Sequence, residues 1–197
     1  MIKDCHTHIP RPGAVVNIDP TEVSGLPING EGGIVYSVGI HPWNAASATP
    51  DALERLAEIA RRTDVVAIGE TGEDMLRPDI DLQTELFRRH IELSEELGKP
   101  LLLHVVRAFD RILAIRKQAR PTVPWIVHGF RGNERLARQL LDNGLYLSYG
   151  ERFNPKAVEI TPSERLLAET DTSTVKIEEI LAKIGKEPRG FELFKGL

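Results

Sequence analysis

Asp4-Cys5-His6-Thr7-His8 places three polar side chains at i, i+2 and i+4. On an extended strand these positions share one face, and two neutral imidazoles on one face chelate a divalent cation. Asp4, on the same face, would orient them from behind. Alone, the pair is equally well read as two surface histidines. Four further residues shift that balance. Glu70 ends the run Val65-Val66-Ala67-Ile68-Gly69, His104 ends Leu101-Leu102-Leu103, and His128 ends Trp125-Ile126-Val127. Asp171 ends Leu166-Leu167-Ala168-Glu169-Thr170. One such residue would be a capped strand end; the recurrence points to one site. The chain has six histidines, and four fall in this set. Four imidazoles and two carboxylates exceed one closed Zn²⁺ site. They suit two ions about 3.5–4 Å apart with one carboxylate bridging. Such a pair lowers the pKa of water from about 15.7 towards about 7, so the expected reaction class is metal-assisted hydrolysis. Zn²⁺, Mn²⁺, Mg²⁺ and Ni²⁺ all stay open as the ions.

The elements that must position these residues alternate along the chain. Apolar, β-branched runs are expected as strands over 2–6, 14–18, 33–40, 65–70, 101–105, 125–128, 145–149 and 166–170. They show little polar alternation before their C-terminal ends, the pattern of parallel strands buried on both faces. Helices are expected between them. Thr49 caps one with Pro50 at its first position and Leu53, Leu56, Ile59 and Ala60 inward. Others cover about 81–97, stopped by Gly98, and about 108–119, ending before Pro121. A fourth is capped by Asn133, with Leu136, Leu140 and Leu141 inward and Gly144 at its end. The last covers about 175–184, and the tail Phe191-Glu192-Leu193-Phe194 is expected to pack down.

This is a single α/β domain over residues 1–197. A doubly wound sheet would carry a glycine-rich phosphate loop after an early strand. None is present, and Gly69-X-X-Gly72 reads as a turn. A (β/α) TIM barrel gathers its chemistry at the C-terminal ends of many strands, where the candidates fall. With 197 residues against about 250 in an ordinary barrel, it is trimmed or distorted. Between His8 and Gly33 there is no helical face, so the first one or two barrel helices are expected to be missing.

Composition excludes other classes. Hydrophobic residues make up 41% and charged residues 27%, ordinary for a globular chain. No apolar run approaches the roughly 20 residues that span a bilayer. Met1-Ile2-Lys3-Asp4 is no signal-peptide core, and the one cysteine has no internal partner. The expected location is cytoplasmic, with no obligatory protein partner. A net charge of -4 means that an anionic substrate needs local positive charge.

Six motifs stand in one order: Asp4 through His8, Gly39-Ile40-His41-Pro42, Gly69-Glu70-Thr71-Gly72-Glu73-Asp74, Pro100 through His104, His128-Gly129-Phe130-Arg131-Gly132 and Glu169-Thr170-Asp171. In order and rough spacing they resemble the TatD family, metal-dependent deoxyribonucleases and related hydrolases of the amidohydrolase superfamily. The resemblance implies a distorted TIM barrel with a two-metal phosphodiesterase centre. His6, His8 and Asp171 would hold one ion and His104 and His128 the other. Glu70 would bridge them, and Asp171 would orient or deprotonate the attacking water. The chain departs from the family in four places. His104-Val105-Val106-Arg107 replaces His-Ser-Arg-Asp, and Arg131 stands where a serine is usual. Thr172-Ser173-Thr174 replaces Ala-Pro and a longer tail, and the stretch from His8 to Gly33 is short. These changes mark a short variant branch with an altered substrate-facing surface.

The remaining candidates carry two readings each. Arg131, Arg107 and Arg152 follow strand ends and would clamp phosphate, or are solvated charges; the position of Arg131, three residues after His128, favours the first. His41 is a substrate or second-layer contact, or a structural turn residue. Asp74 reaches the site or caps a loop; Trp43 lines the pocket or covers the barrel mouth. Cys5 is expected in the core, away from the ligand face, and His90 as structural. Arg61-Arg62 and Glu95-Glu96 are expected on solvated helix faces. The expected substrate is DNA or a small phosphodiester. The alternative is cleavage of a small amide, lactone or cyclic imide. Many such enzymes bridge their metals with a carboxylated lysine, where this chain has Glu70; Lys99 comes too early on the next strand. A non-enzymatic metal-binding protein is the third reading.

Overall fold

The computed structural model describes residues 2–22 and 34–194. Eight strands form one sheet in sequence order: β1 (Asp4–Thr7), β2 (Ala14–Ile18), β3 (Val35–Val38), β4 (Val65–Asp74), β5 (Leu101–Val106), β6 (Trp125–Val127), β7 (Tyr146–Tyr149) and β8 (Leu166–Ala168). Every neighbouring pair is parallel. A parallel bridge between Thr7 and Asp171 brings the last strand back to the first. The sheet is a nearly closed barrel, as the alternating pattern predicts.

Among the described residues, six α-helices follow in turn: α1 (Pro50–Ala60), α2 (Ile80–Leu97), α3 (Phe109–Ala119), α4 (Glu134–Asp142), α5 (Pro155–Ile160) and α6 (Ile177–Ile184). Their ends are set locally. The Thr49 hydroxyl accepts from Ala52 N ahead of Pro50, and Asn133 Oδ1 accepts from Leu136 N. Gly98 and Gly185 end α2 and α6 with left-handed φ of 65° and 72°, a conformation without penalty for glycine. The buried face of α1 is Ala52, Leu56, Ile59 and Ala60, with Leu53 only half-buried. In α4 it is Ala137 and Leu140, flanked by half-buried Leu136 and Leu141. Arg61 lies just past α1 and donates to Ala57 O and Glu96. Arg62 is not on a solvated face: it is half-buried and bonded to Asp64.

The expected economy is visible at the start. Residues 8–13 join β1 to β2 without a helix. A stretch of that length reaches about 20 Å when extended, enough to return along a short strand. Of the next connection, residues 23–33, including Gly33 of the expected third strand, lie outside the described residues. A short 3-10 helix, Pro42–Ser47, intervenes between β3 and α1. No helix of the described residues is long and apolar enough to cross a membrane.

Two apolar clusters hold the fold. The larger lies between the strands and the helices and contains Leu101, Leu103, Trp125, Phe87, Ile112 and Leu140. The smaller fills the barrel with Cys5, Val15, Ala67, Leu102, Ile126 and Leu167. Register accounts for the division, since Leu102 pairs with Ile126 while Leu101 and Leu103 point the other way. Phe194 joins the inner cluster, with Phe191 and Leu193 packed against it, so the tail does pack down.

Gly69 and Gly72 lie inside β4, not in a turn. Their φ angles are 130° and 138°, and the β4–β5 register shifts between Ile68 and Thr71. A Cβ on Gly72 would run into the carbonyl oxygen of His104. This close approach carries β4 on to Asp74, beyond its expected end at Glu70.

Candidate metal centre

At the C-terminal ends of the strands, five imidazoles surround one carboxylate. Glu70 is 2% exposed. Its backbone N donates to Asn17 Oδ1 on β2 at 2.8 Å. Its two oxygens face different partners. Oε2 lies 3.2 Å from His6 Nε2 and 3.4 Å from His8 Nε2. Oε1 lies 2.7 Å from His128 Nε2, 2.8 Å from His104 Nδ1 and 3.2 Å from His41 Nε2. Asp171 Oδ1 stands on the Oε2 side, 3.8 Å from His6 Nε2 and 3.7 Å from His8 Nε2. The six sequence candidates therefore converge, and His41 joins them.

Three overlapping groups have ligand atoms close enough to share a cation: His6, His8 and Asp171; His6, Glu70 and His128; His41, Glu70 and His104. The fit to a cation rests on more than proximity. His6 is fully buried, and neither of its ring nitrogens has a hydrogen-bond partner. A buried polar atom without a partner is costly, and a cation accepting the Nε2 lone pair removes that cost. Donors of imidazole and carboxylate type suit a divalent transition metal.

The surrounding shell sets each ring. His128 Nδ1 lies 3.1 Å from Glu169 Oε1, and Glu169 is fully buried. Behind His104, Nε2 lies 3.5 Å from Asp74 Oδ2. The same Asp74 oxygen accepts from the Trp43 indole at 2.7 Å. Asp74 is thus both of the things its sequence position allows: it reaches His104, and Oδ1 caps the following turn at Leu76 N. Burial alone would raise the Asp74 carboxyl; the Trp43 and Leu76 bonds outweigh it and hold it below its ordinary range. Burial likewise opposes ionisation of Glu70 and of His128, but each stabilises the other's charge. Glu70 is held well below its ordinary value and His128 well above.

Two expectations about β1 are corrected. Its register slips between Asp4 and Thr7, which breaks the simple alternation of faces. Asp4 turns to β8 instead of the histidine rings, accepting from Thr170 N at 3.0 Å and Thr170 Oγ1 at 2.6 Å. Cys5 is core, as expected, but inside the barrel beneath the candidate ligands, where its thiol donates to Ser148 Oγ at 3.0 Å. Asp171 is reached in a left-handed conformation, φ 52°, which aspartate tolerates better than most residues. Its N donates to His6 O and its O accepts from His8 N.

Among the arginines, Arg131 and Arg152 line a cleft of about 350 Å³ beside Asp171, with Glu169 and Thr170 at its wall. Arg107 is exposed past the end of β5, with φ 52°, and does not line that cleft. Glu73 is fully buried and held by Arg111 and Thr84. Lys99 lies before β5, where Nζ donates to Ala60 O and Arg62 O, far along the strand from Glu70. His90 is buried in α2, as expected of a structural residue, and its Nε2 accepts from Ile40 N. Trp43 is 54% exposed at the mouth, with the Arg77 guanidinium 3.9 Å over its ring. Glu169 escaped the reading of the residues; its two-residue offset from Asp171 was the available signal.

Comparison with known proteins agrees with this architecture. The chain is 33% identical over 169 residues to the metal-dependent hydrolase YabD of Bacillus subtilis, covering 80% of this chain and 66% of YabD. It is 34% identical over 146 residues to a 3'-5' ssDNA/RNA exonuclease TatD of Klebsiella pneumoniae, covering 68% of this chain and 56% of that protein. The chain thus spans about half to two thirds of the length of these relatives. The crystal structure of YjjV, a TatD homologue from Escherichia coli, superposes with a TM-score of 0.75 at 19% identity, over 98% of this chain and 93% of that one, and shows the same barrel fold. The model of the TatD related DNase family matches residues 26–178. That stretch begins after His6 and His8, which the fold nevertheless brings to the same centre. With this match over more than half of its length, the chain belongs to the TatD related DNase family.

Proposed function

We propose that the chain is a divalent-metal-dependent phosphodiesterase acting on nucleic acid or a small phosphodiester, with two ions held side by side. The observation that carries this reading is the division of donors about Glu70. Oε2 faces His6, His8 and the nearby Asp171, while Oε1 faces His104 and His128. A carboxylate with each oxygen turned to its own donor set is arranged to bridge. It would offset the repulsion of two neighbouring dications. The relatives named as ssDNA/RNA exonucleases support the substrate class.

His6, His8, Glu70 and Asp171 would hold one ion, and Glu70, His104 and His128 the other. Bound there, divalent ions supply Lewis acidity and acidify a water for attack at neutral pH. The chain's own groups supply the rest. Asp171 is 30% exposed at its side chain and opens on the cleft, where its carboxylate orients the attacking water and takes its proton. Glu169 accepts from the far nitrogen of His128 and fixes that ring, while Asp74 stands 3.5 Å behind His104 Nε2 and favours a proton there. Arg131 and Arg152 present two guanidinium groups to a phosphate entering beside Asp171. No observation favours the amide or lactone reading, since Glu70 would take the bridging position and Lys99 is engaged elsewhere.

The test is metal analysis beside a substrate screen. Chelated protein should cleave neither bis(p-nitrophenyl) phosphate nor a single-stranded oligonucleotide. Mn²⁺, Zn²⁺ or Mg²⁺ should restore cleavage of at least one. Metal-replete protein that hydrolyses an amide or lactone and no phosphodiester refutes the proposal.

A further inference from the structure

His41 meets the distance criteria of a metal ligand, grouped with Glu70 and His104, yet its hydrogen bonding argues against that role. The backbone N–H of Trp43 donates to His41 Nδ1 at 3.1 Å. A nitrogen that accepts a hydrogen bond carries no proton, so the neutral ring must carry its proton on Nε2. A ligand through Nε2 needs the opposite tautomer, with its lone pair on Nε2 and its proton on Nδ1. There that proton would oppose the Trp43 N–H.

The neighbouring rings show the contrast. Behind His128 Nδ1 is the Glu169 carboxylate at 3.1 Å, and behind His104 Nε2 is Asp74 at 3.5 Å. With a cation bound, Glu169 would hold a proton on His128 Nδ1 and leave Nε2 to the cation, and the nearby Asp74 would favour the same division in His104. Behind His41 there is a donor where the others have an acceptor. We infer that His41 is the centre's hydrogen-bond donor, presenting Nε2–H to an oxygen of the phosphoryl group, and is not a metal ligand.

Geometry supports a fixed donor. His41 Nε2 points into the ring of ligands, 3.3 Å from His104 Nδ1 and 3.2 Å from Glu70 Oε1. Its hydrogen-bond partner there is His104 Nδ1; a cation held by that nitrogen would leave Nε2–H free for a substrate oxygen. The backbone is held on both sides. His41 N donates to Asp19 Oδ2 at 2.9 Å, and the preceding Ile40 N donates to His90 Nε2 at 3.0 Å. Asn44 ties the same Asp19 oxygen to the 3-10 helix that begins at Pro42. The ring therefore needs little reorganisation to donate, the condition under which one donor contributes most to a developing negative charge.

The choice of phosphoryl oxygen as acceptor rests on the proposed phosphodiesterase reading; the tautomer does not. The experiment accordingly has three arms. In Zn²⁺-loaded protein, ¹⁵N NMR of the imidazoles should show His41 protonated at Nε2 with Nδ1 bare. In His41→Ala and His41→Gln, the metal content per chain should equal that of the wild type. On a phosphodiester, kcat/KM of His41→Ala should fall by about 10²–10³-fold, the usual loss for one preorganised donor. His41→Gln, which keeps an N–H, should recover part of it. Loss of one metal per chain in His41→Ala, or a metal-coordinated Nε2, overturns the inference. So does unchanged kcat/KM in a folded, metal-replete variant. If the wild type cleaves no phosphodiester, the functional reading fails by itself. Inorganic phosphate titrated into the Zn²⁺-loaded protein then decides the donor role: His41→Ala should bind it at least tenfold more weakly, and equal binding overturns the inference.

Discussion

His90 makes stability depend on pH in a way that can be isolated. The side chain is fully buried in α2, with Nδ1 bonded to Leu86 O at 2.8 Å and Nε2 accepting from Ile40 N at 3.0 Å. A second proton on the ring would face the Ile40 N–H and find no water. Burial, the largest influence, pushes its pKa down from 6.5 to about 4, against smaller upward pulls from the Leu86 bond and Asp19. The sign follows from linkage. Above about pH 6.5 the ring is neutral in folded and unfolded chains alike, so it does not affect stability. Below that, the unfolded chain takes up a proton that the folded one refuses, and stability falls until the folded ring also titrates, near about pH 4. At about 1.4 kcal/mol per unit the full loss is roughly 3 kcal/mol, of which about 2 kcal/mol falls between about pH 7 and about pH 5. For a domain of this size that is a fall in Tm of about 4–8 °C. The assay is chemical denaturation of chelated protein across this range, because bound metal adds its own pH dependence. His90→Gln keeps an acceptor for Ile40 N but has no proton to gain. Its stability should fall less steeply than that of the wild type by that same margin. Parallel curves for the two proteins would refute the argument from burial.

Further expectations concern the centre. Glu70→Ala should lower the occupancy of both proposed sites together, whereas Asp171→Asn should retain at least one metal while kcat falls by about 10²–10⁴-fold, the usual loss of a general base; metal analysis beside kinetics separates them. Glu169→Gln, which keeps the shape behind His128, should weaken metal binding by about 10–100-fold, measured by competition with a chromogenic chelator. Arg131→Ala should mainly raise KM on phosphodiesters with metal content unchanged. Unaltered kinetics would return Arg131 to the solvated surface.

What could be read from the sequence was local, or repeated. The Thr49-Pro50 and Asn133 caps and the stop at Gly98 each depend on a few adjacent residues, and each stands where expected. The convergence of the candidate residues was legible because the same event, a polar residue ending an apolar strand, recurred along the chain. Features that depend on register were not. A slip in β1 turns Asp4 to Thr170 and draws Cys5 inward, and no pattern of period two contains it. Gly69 and Gly72 read as punctuation because glycine usually breaks a strand; here they let β4 pass close to β5. The place of His41 beside Glu70 depends on contacts from Asp19, His90 and Trp43, drawn from three separate parts of the chain. Helix α5 is short, and Asn154 capping ahead of Pro155 was its sole local signal.

The trimmed start gives the centre a structural consequence. In the described residues, no helix joins β1 to β2, and the barrel closes between its first strand and its last. That seam is narrow: the Thr7–Asp171 bridge, the backbone bonds joining Asp171 to His6 and His8, and the Asp4–Thr170 pair. It joins the two ends of the domain, a contact of long sequence separation whose closure entropy is recovered late in folding. The proposed ligands straddle it, His6 and His8 from β1 and Asp171 from just beyond β8. A cation held by the three would tie the strands together at the point where a single bridge joins them. Binding to the folded state alone stabilises that state by mass action, and here the free energy would fall on the seam. The fold that places the ligands would then be completed by the ion they bind, and the short connection after β1 would be tolerated because the ligands themselves help to close the barrel.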